Sequence, residues 1–181
     1  MAEKPNDVKA TANTSEVTSK SAPPGPTLDS KGELLLSNVI KSFGDDSLEI
    51  TSNGDEVVVF LEPHRLLDTA TRLKETGGFE FNFLRCLSVV DYENSLQVVY
   101  HLWSLTNKHK MVLKVNVDYD DPTVPSVYPI WKGSDWFERE GHDLFGVYFD
   151  GHPDLKPLLL WEGFEGYPGR KSFPLNEYTE Y

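Results

Sequence analysis

A stretch of the chain from Trp131 to Pro174 combines aromatic side chains with glycine and proline at short intervals. After its first dozen residues, turn-forming sequences such as Tyr-Pro-Gly and Phe-Pro interrupt any regular period and predict extended chain and tight turns. Disordered segments lack the apolar area that these aromatic side chains supply. Long ordered segments without regular secondary structure are uncommon in compact domains and usually have a function. The sequence therefore predicts a segment that becomes fully ordered by lying on another protein.

The size and charge of the chain limit the classes of protein to which it can belong. At 181 residues with 39% hydrophobic side chains, it is long enough for one domain with a buried core. The formal net charge of −12 disfavours nucleic acid and anionic lipid as partners, because phosphate binding requires an excess of lysine and arginine. Since Cys86 is the single cysteine, the chain can form no internal disulfide and cannot hold an iron–sulfur cluster with its own cysteines.

The N-terminal part of the sequence indicates neither a membrane anchor nor an exported protein. No apolar run approaches the roughly 18 residues of a transmembrane helix, so we expect no direct membrane span. The first residues have neither the apolar core of a signal peptide nor the arginines of a mitochondrial presequence, which favours the cytosolic side. Residues 1–28 are rich in Ala, Ser, Thr, Pro and Lys, which predicts a disordered tail. A binding arm that orders on a partner is the alternative.

Residues 29–120 predict an α+β core with the order helix-strand-strand-helix-strand-strand-strand. Asn53-Gly54-Asp55 is a strong signal for a hairpin between the first two strands. Short links make the last three strands antiparallel neighbours, and alternation in the final strand predicts helices on one sheet face. The predicted elements are a helix from Asp29 or Ser30 to Phe43, strands at Ser47–Thr51 and Glu56–Leu61, a helix from Glu62 to about Glu75, and strands at Phe81–Tyr92, Leu96–Leu105 and Met111–Val117.

Residues 121–181 predict a proline-punctuated connection, a short helix and an extended, irregular, partner-binding C-terminal segment. The prolines of the connection cannot donate to a strand ladder. Ser134 and Gly146 mark the expected ends of the helix. Inside it, Arg139 lies four residues from an aspartate on either side and can pair with both. Two interpretations stay open: a solvated helix face, or an arginine that grips a partner's carboxylate through its bidentate fork.

Acidic and histidine side chains in the same region raise two further possibilities, a metal site and an acid–base catalytic site. His142 and His152 belong to no dense ligand motif, and neither has a second histidine one helical turn away, which argues against a metal. Acid–base catalysis by Glu138 or Glu140 with His152 would need a pocket, and no nucleophile motif or glycine-rich phosphate loop accompanies them. A recognition surface is the function that these residues favour.

Two cations and several aromatic side chains late in the chain are the expected recognition residues. Arg170 and Lys171 follow a rigid Tyr-Pro-Gly turn in an acidic chain. Aromatic side chains supply contact area at low entropic cost, as they do in interface cores. Packing back on the chain's own sheet is the alternative for these aromatic residues, which are Trp161, Phe164, Tyr167 and Phe173.

Two long motifs follow one another in this region. Residues 138–156 read EREGHDLFGVYFDGHPDLK, and residues 163–175 read GFEGYPGRKSFPL. Both resemble the diagnostic motifs of the 30-kilodalton (C-type) subunit family of respiratory complex I, the proton-pumping NADH–quinone oxidoreductase. The upstream α+β pattern agrees in order and length, so the resemblance spans about residues 30–181.

The resemblance implies a non-redox structural subunit of the peripheral arm, with no active site and no cofactor of its own. Iron–sulfur clusters, FMN and quinone would be bound by partner subunits, and electrons would pass there from NADH to quinone. The implied partners are the large quinone-site subunit, of the D type, and adjacent cluster-bearing subunits. The implied location is the cytoplasmic face of the bacterial plasma membrane, as a peripheral part of a membrane complex.

The resemblance also assigns roles to the matched residues. Glu138, Arg139, Glu140 and Asp143 would be structural and interface charges, Gly151, His152, Pro153 and Asp154 would fix a turn, and Arg170 and Lys171 would anchor the tail. One alternative is the same type of subunit in a ferredoxin-dependent or F420H2-dependent complex or a membrane-bound hydrogenase. A free-standing protein-binding module is an alternative of another class.

Overall fold

A five-stranded mixed sheet with helices packed on it forms the core of a computed structural model that describes residues 27–44 and 48–174. Nearly all of the predicted N-terminal tail, Ser47 of the first predicted strand, and residues 175–181 of the predicted C-terminal segment lie outside the described residues. The elements are α1 (Ser30–Phe43), β1 (Glu49–Asn53), β2 (Glu56–Leu61), a 3₁₀ turn (Pro63–Arg65), α2 (Leu66–Glu75), β3 (Phe83–Asp91), β4 (Ser95–Ser104), β5 (His109–Asp118), β6 (Thr123–Pro125), a 3₁₀ turn (Lys132–Ser134), α3 (Asp135–Phe145) and β7 (Tyr148–Asp150).

The strands of the main sheet lie in the order β1-β2-β5-β4-β3. Neighbouring strands run antiparallel except β2 and β5, which pair in parallel. The predicted hairpin joins β1 and β2, and Gly54 adopts the positive φ of +61° that its tight turn requires. The α+β class and the predicted order of elements are confirmed.

The helices cover one face of this sheet, as predicted. Asp29 begins α1 by accepting a hydrogen bond from the Gly32 N–H at 2.7 Å. The larger apolar cluster joins α1 and α2 to the inward side chains of the strands. It includes Leu35 of α1, Leu66 of α2 and Leu102 of β4. Burying each such leucine contributes about 1.5–3 kcal/mol. A smaller cluster of Val58, Val99 and Val112 lies on the opposite face.

The proline-punctuated connection stays out of the main sheet, as predicted, but it does contain a strand. Thr123–Pro125 pairs in parallel with Tyr148–Asp150 to form a second, two-stranded sheet. The prolines permit this pairing because Pro125 is the last residue of its strand, and the next N–H, of Ser126, donates to Asp150 O at 2.7 Å. The sequence did not predict β7, since three residues are too few to show a period.

A buried tryptophan, Trp131, begins the region that contains α3. Trp131 is enclosed, and its indole N–H donates to Phe81 O at 2.9 Å. The 3₁₀ turn that follows leads directly into α3, which packs on β3. In the residues that the structure describes, no helix has the length and apolar character needed to cross a membrane.

Candidate interface formed by helix α3 and the C-terminal segment

Helix α3 has a glutamate, Glu138, at the centre of its buried face. The side chain of Glu138 is fully enclosed. One helical turn away, Gly141 allows the helix to approach β3 closely, because an added Cβ would lie 3.0 Å from Val89 Cγ2 and 3.3 Å from the Phe149 ring. The solvated-face interpretation is therefore wrong for Glu138.

Hydrogen bonds hold Glu138 against the connection that follows β6. Its carboxylate accepts from Ser126 Oγ at 2.5 Å and from the Val127 N–H at 2.8 Å. Burial raises the pKa of Glu138 above its ordinary value, and these hydrogen bonds only partly oppose that effect. Glu138 therefore joins α3 to the connection 11 and 12 residues earlier in the chain.

His152 folds the predicted turn back onto the first turn of α3. Its ring is fully enclosed, with Nε2 3.4 Å from Asp135 Oδ1 and 3.9 Å from Glu138 Oε2. The Asp154 N–H donates to His152 Nδ1 at 3.1 Å. Gly151, with φ +80°, makes the sharp turn after β7. The side chains of Glu138 and His152, one of the two pairs considered for acid–base chemistry, are thus both enclosed in this conformation.

Arg139 does not form the predicted ion pair with a neighbouring aspartate on α3. Its guanidinium donates instead to the carbonyl oxygens of Lys156 and Pro157, at 3.0 and 2.9 Å. These carbonyls belong to the C-terminal segment, which we define as residues 151–174. A local i,i+4 rule cannot find such partners, because they lie 17 and 18 residues further along the chain.

Asp143 binds the same C-terminal segment. Its Oδ2 accepts from three consecutive backbone N–H groups, those of Leu158, Leu159 and Leu160, at 3.1, 2.7 and 2.8 Å. Burial acts to raise the pKa of Asp143, but these three hydrogen bonds outweigh it and hold the pKa below its ordinary value. Arg139 and Asp143 together attach residues 156–160 to the helix.

Arg170 attaches the far end of the C-terminal segment to the core. It donates to Phe145 O at 2.7 Å and to Tyr119 O at 3.1 Å. Its guanidinium also lies 4.7 Å from the Tyr119 ring centroid and 5.1 Å from that of Tyr167. Tyr167 in turn covers Gly146, which ends α3 with a φ of +73°.

Lys171 adds a second attachment, at the end of β3. Its backbone N–H donates to Asp91 Oδ2 at 2.8 Å, and its ammonium lies 3.3 Å from Glu93 Oε1. Sequence reasoning missed Asp91 and Tyr119, since neither belongs to a motif. Asp91 ends β3 and Tyr119 directly follows β5, and these positions become informative only once the sheet order is known.

The aromatic and apolar side chains of the C-terminal segment divide between two roles. Phe164 stacks on Phe173, with ring centroids 5.9 Å apart, and makes an edge contact with Trp161 at 4.8 Å. Trp161 and Leu159 nevertheless remain 70% and 60% exposed. The segment thus orders itself through some aromatic side chains and presents other apolar side chains to solvent.

The remaining predicted residues lie on the surface. Glu140, Pro153 and Asp154 are exposed, and Asp154 Oδ1 lies 3.0 Å from Lys156 Nζ. Within residues 27–44 and 48–174, no group of three or more His, Cys, Asp or Glu side chains is arranged to hold a metal ion.

Comparison with known proteins identifies the family. The family model described as "Respiratory-chain NADH dehydrogenase, 30 Kd subunit" matches residues 59–179. The chain belongs to this family. The matched range contains both motifs of the α3 region, so the resemblance inferred from them is confirmed.

The chain is also similar to a named relative and to two solved structures, the second of which shows the fold alone. A C-type NADH-quinone oxidoreductase subunit of Rhizobium etli is 39% identical over 146 residues, which cover 78% of this chain and 77% of the relative. A solved structure titled "Nqo5 of the trypsin-resistant fragment (1-134)" is 31% identical with a TM-score of 0.60, and covers 66% of this chain and 98% of that one. A chain of the membrane-bound sulfane sulfur reductase, an archaeal respiratory membrane complex, shares the fold at 24% identity, with a TM-score of 0.69, over 80% of this chain and 86% of that one.

Proposed function

We propose that this chain is a non-catalytic structural subunit of the peripheral arm of a proton-translocating NADH–quinone oxidoreductase. One observation carries the proposal. Arg139 and Asp143 of α3 hold the C-terminal segment in place, while Leu159 and Trp161 stay exposed on it. An ordered segment that presents large apolar side chains is typical of a protein–protein interface.

The partners that fit this surface are the large quinone-site subunit, of the D type, and the adjacent cluster-bearing subunits. In this proposal the C-terminal segment lies across them and braces them, so that electrons pass from NADH through iron–sulfur clusters to quinone without a redox group in this chain. The single, half-buried Cys86 supports this division of roles, because one thiol cannot hold a cluster. Iron–sulfur clusters, FMN and quinone belong to the partners.

The proposed location follows from the proposed assembly. The chain would bind peripherally at the cytoplasmic face of the bacterial plasma membrane, held there by its partner subunits. Its acidic surface gives no reason to expect direct binding to anionic lipid.

A pair of matched leucine variants tests the proposal. Leu159 is 60% exposed on the C-terminal segment, and Leu34 is 66% exposed on α1. If Leu159 becomes buried in a partner, Leu159→Ser removes about 1.5–3 kcal/mol of binding energy. We therefore expect the purified variant to associate about 10-fold to 150-fold more weakly than wild type with the complex that lacks this subunit, as measured by titration of complex reconstitution.

Leu34→Ser should leave reconstitution unchanged, and both variants should unfold at the urea concentration of the wild-type chain because both side chains are exposed. Complexes that do form with Leu159→Ser should retain full NADH–quinone activity per complex, since the chain has no catalytic group. Equal association of the two variants would refute the interface, and turnover by the purified chain alone would refute the structural role.

A further inference from the structure

A groove of about 810 Å³ opens at the end of the main sheet where β3 and β5 begin and β4 ends. Its wall includes the start of α1 and the turn between β1 and β2. The C-terminal segment is anchored at the other end of β3, at Asp91. Phe83 and Asp91 lie eight positions apart along β3, or roughly 26 Å at 3.3 Å per residue. The groove is thus independent of the interface proposed above.

The groove is positively charged although the chain as a whole carries −12. Four cationic side chains and two carboxylates line it: Lys31, Arg85, Lys108 and Lys110 against Asp29 and Asp55. Both carboxylates are engaged, because Asp55 pairs with Lys110 at 2.5 Å and Asp29 caps α1. Within the part of the chain that the structure describes, Lys31, Arg85 and Lys108 form no salt bridge.

A bulge in β3 gives Arg85 its position. Leu84 pairs with Leu102 and Cys86 with His101, so Arg85 is the extra residue of the strand. Bulges re-aim side chains at the edges of sheets. The Arg85 guanidinium lies 5.8 Å from the centroid of the Trp103 ring, at the rim of the groove.

The groove also has apolar walls. Phe83 and Leu105 are 49% and 53% exposed, and Trp103 lies half-buried beside them. A contiguous exposed apolar patch rimmed by polar side chains is typical of an interaction site. The occupant that fits is therefore both apolar and anionic.

We propose that this groove docks an acidic segment of a neighbouring protein, with an aromatic or aliphatic side chain between Phe83 and Leu105 and carboxylates at Arg85. The inference relies on the proposed function in that it requires a neighbouring subunit. Charge complementarity of this kind speeds association and selects the partner. A small anion at the start of α1 is disfavoured, because the Asp29 carboxylate already occupies that position.

The chain's own residues 1–26 do not have the required chemistry, although they join the described chain at Thr27, beside the groove. They carry Glu3, Asp7 and Glu16 against Lys4, Lys9 and Lys20, so their side chains have no net charge. They contain no aromatic residue. Such a segment lacks the net negative charge, and its larger apolar side chains are limited to Met1, Val8 and Val17.

Site-specific photo-crosslinking in the assembled, membrane-attached complex tests this inference. Benzoylphenylalanine replaces Leu105 in the groove, Trp161 on the C-terminal segment, or Ile40, an exposed apolar residue on α1 outside both surfaces. We expect the probe at position 105 to crosslink to a partner peptide in which Asp and Glu outnumber Lys and Arg, as mapped by mass spectrometry. The Ile40 probe should give no specific product.

A product with any segment of this chain itself, including residues 1–26 and the acidic residues 175–181, or with a neutral or basic partner peptide, would overturn the inference. So would the absence of a product at position 105 when the probe at position 161 crosslinks, and the proposed function would then stand. Absence of products at both positions would refute the proposed function and this inference with it.

Charge variants in the same experiment test the electrostatic part. Arg85→Glu with Lys108→Glu should reduce the yield at position 105 at least about tenfold relative to that at position 161, because like charges repel across an interface. Arg85→Lys with Lys108→Arg keeps both charges and should keep the yield. An unchanged yield with both glutamates present would show that the groove does not select an acidic segment.

Discussion

The three hydrogen bonds that Asp143 accepts from residues 158–160 make a sharp prediction about Asp143→Asn. The asparagine keeps one acceptor oxygen and the shape of the side chain but removes the charge. Hydrogen bonds to an ionised acceptor are roughly twice as strong as neutral ones. Each hydrogen bond to the charged oxygen has a net value near 1.5–3 kcal/mol, and a bond to the neutral amide oxygen keeps about half of it. Because the partly exposed N–H groups can also rebind water, the loss over the three bonds is about 2–3 kcal/mol in all. The detached state of the C-terminal segment should become about 30-fold to 150-fold more populated.

Hydrogen–deuterium exchange of the full-length chain, read by mass spectrometry, measures this change directly. Peptides covering residues 151–174 should exchange faster in Asp143→Asn by the same factor, while peptides from β4 and β5 should not change, since the sheet is intact. Asp154→Asn is the matched control, because Asp154 is an exposed carboxylate on the same segment whose ion pair with Lys156 contributes at most about 1 kcal/mol. Equal exchange of the segment in wild type and Asp143→Asn would refute the structural role.

The pH dependence of the same measurement gives a second check. Because the folded pKa of Asp143 is depressed, its contribution is complete above the ordinary aspartate pKa and is lost as the pH falls through the depressed value. The exchange rates of residues 151–174 are first corrected for the pH dependence of intrinsic exchange. The difference in these rates between wild type and Asp143→Asn should then be constant above about pH 5 and shrink below about pH 4. A difference that persists undiminished at the lowest pH would mean that the charge is not responsible.

Two further substitutions test α3 itself, one at the glycine that ends the helix and one at the glutamate on its buried face. Gly146→Ala should lower the free energy of unfolding by about 1–3 kcal/mol in urea titrations, because the site has φ +73° and the new Cβ would lie 2.5 Å from the Tyr167 ring; Gly133→Ala, which adds its Cβ into open space, should cost less, and equal losses would contradict the reasoning. Burial raises the pKa of Glu138, so its contribution to stability is complete below the ordinary glutamate pKa and is lost as the pH rises through the raised value. Glu138→Gln should therefore flatten the decline in unfolding free energy as the pH rises above about 4, and a pH profile identical to that of wild type would assign the decline to other groups.

Local signals explain why the core could be predicted from the sequence. The Asp29 cap, the Asn53-Gly54 turn and the alternation along β5 each act within a few residues, and each appears in the structure as expected. The parallel pairing of β2 with β5 could not be predicted this way, because it joins strands that are about 50 residues apart. Nothing within either strand specifies that neighbour.

The same limit applies to the α3 region, where the motif residues were found but their partners were not. The Arg139 guanidinium binds carbonyls of the C-terminal segment, although helical spacing favoured the neighbouring aspartates. Backbone carbonyls leave no mark in a sequence, since every residue has one. Asp143 likewise binds three N–H groups whose side chains are all leucine and reveal nothing of the contact.

The sequence by itself determined the α+β class, the position of α3 and the family to which the chain belongs, because these depend on local periods, caps and the order of two motifs. The tertiary structure decided what the motif charges do. Glu138 and His152 are enclosed against the core, Arg139, Asp143 and Arg170 hold the C-terminal segment, and Leu159 and Trp161 are left exposed. The physical reason is that a charge takes its role from the groups that surround it, and the fold brings those groups together from distant parts of the chain.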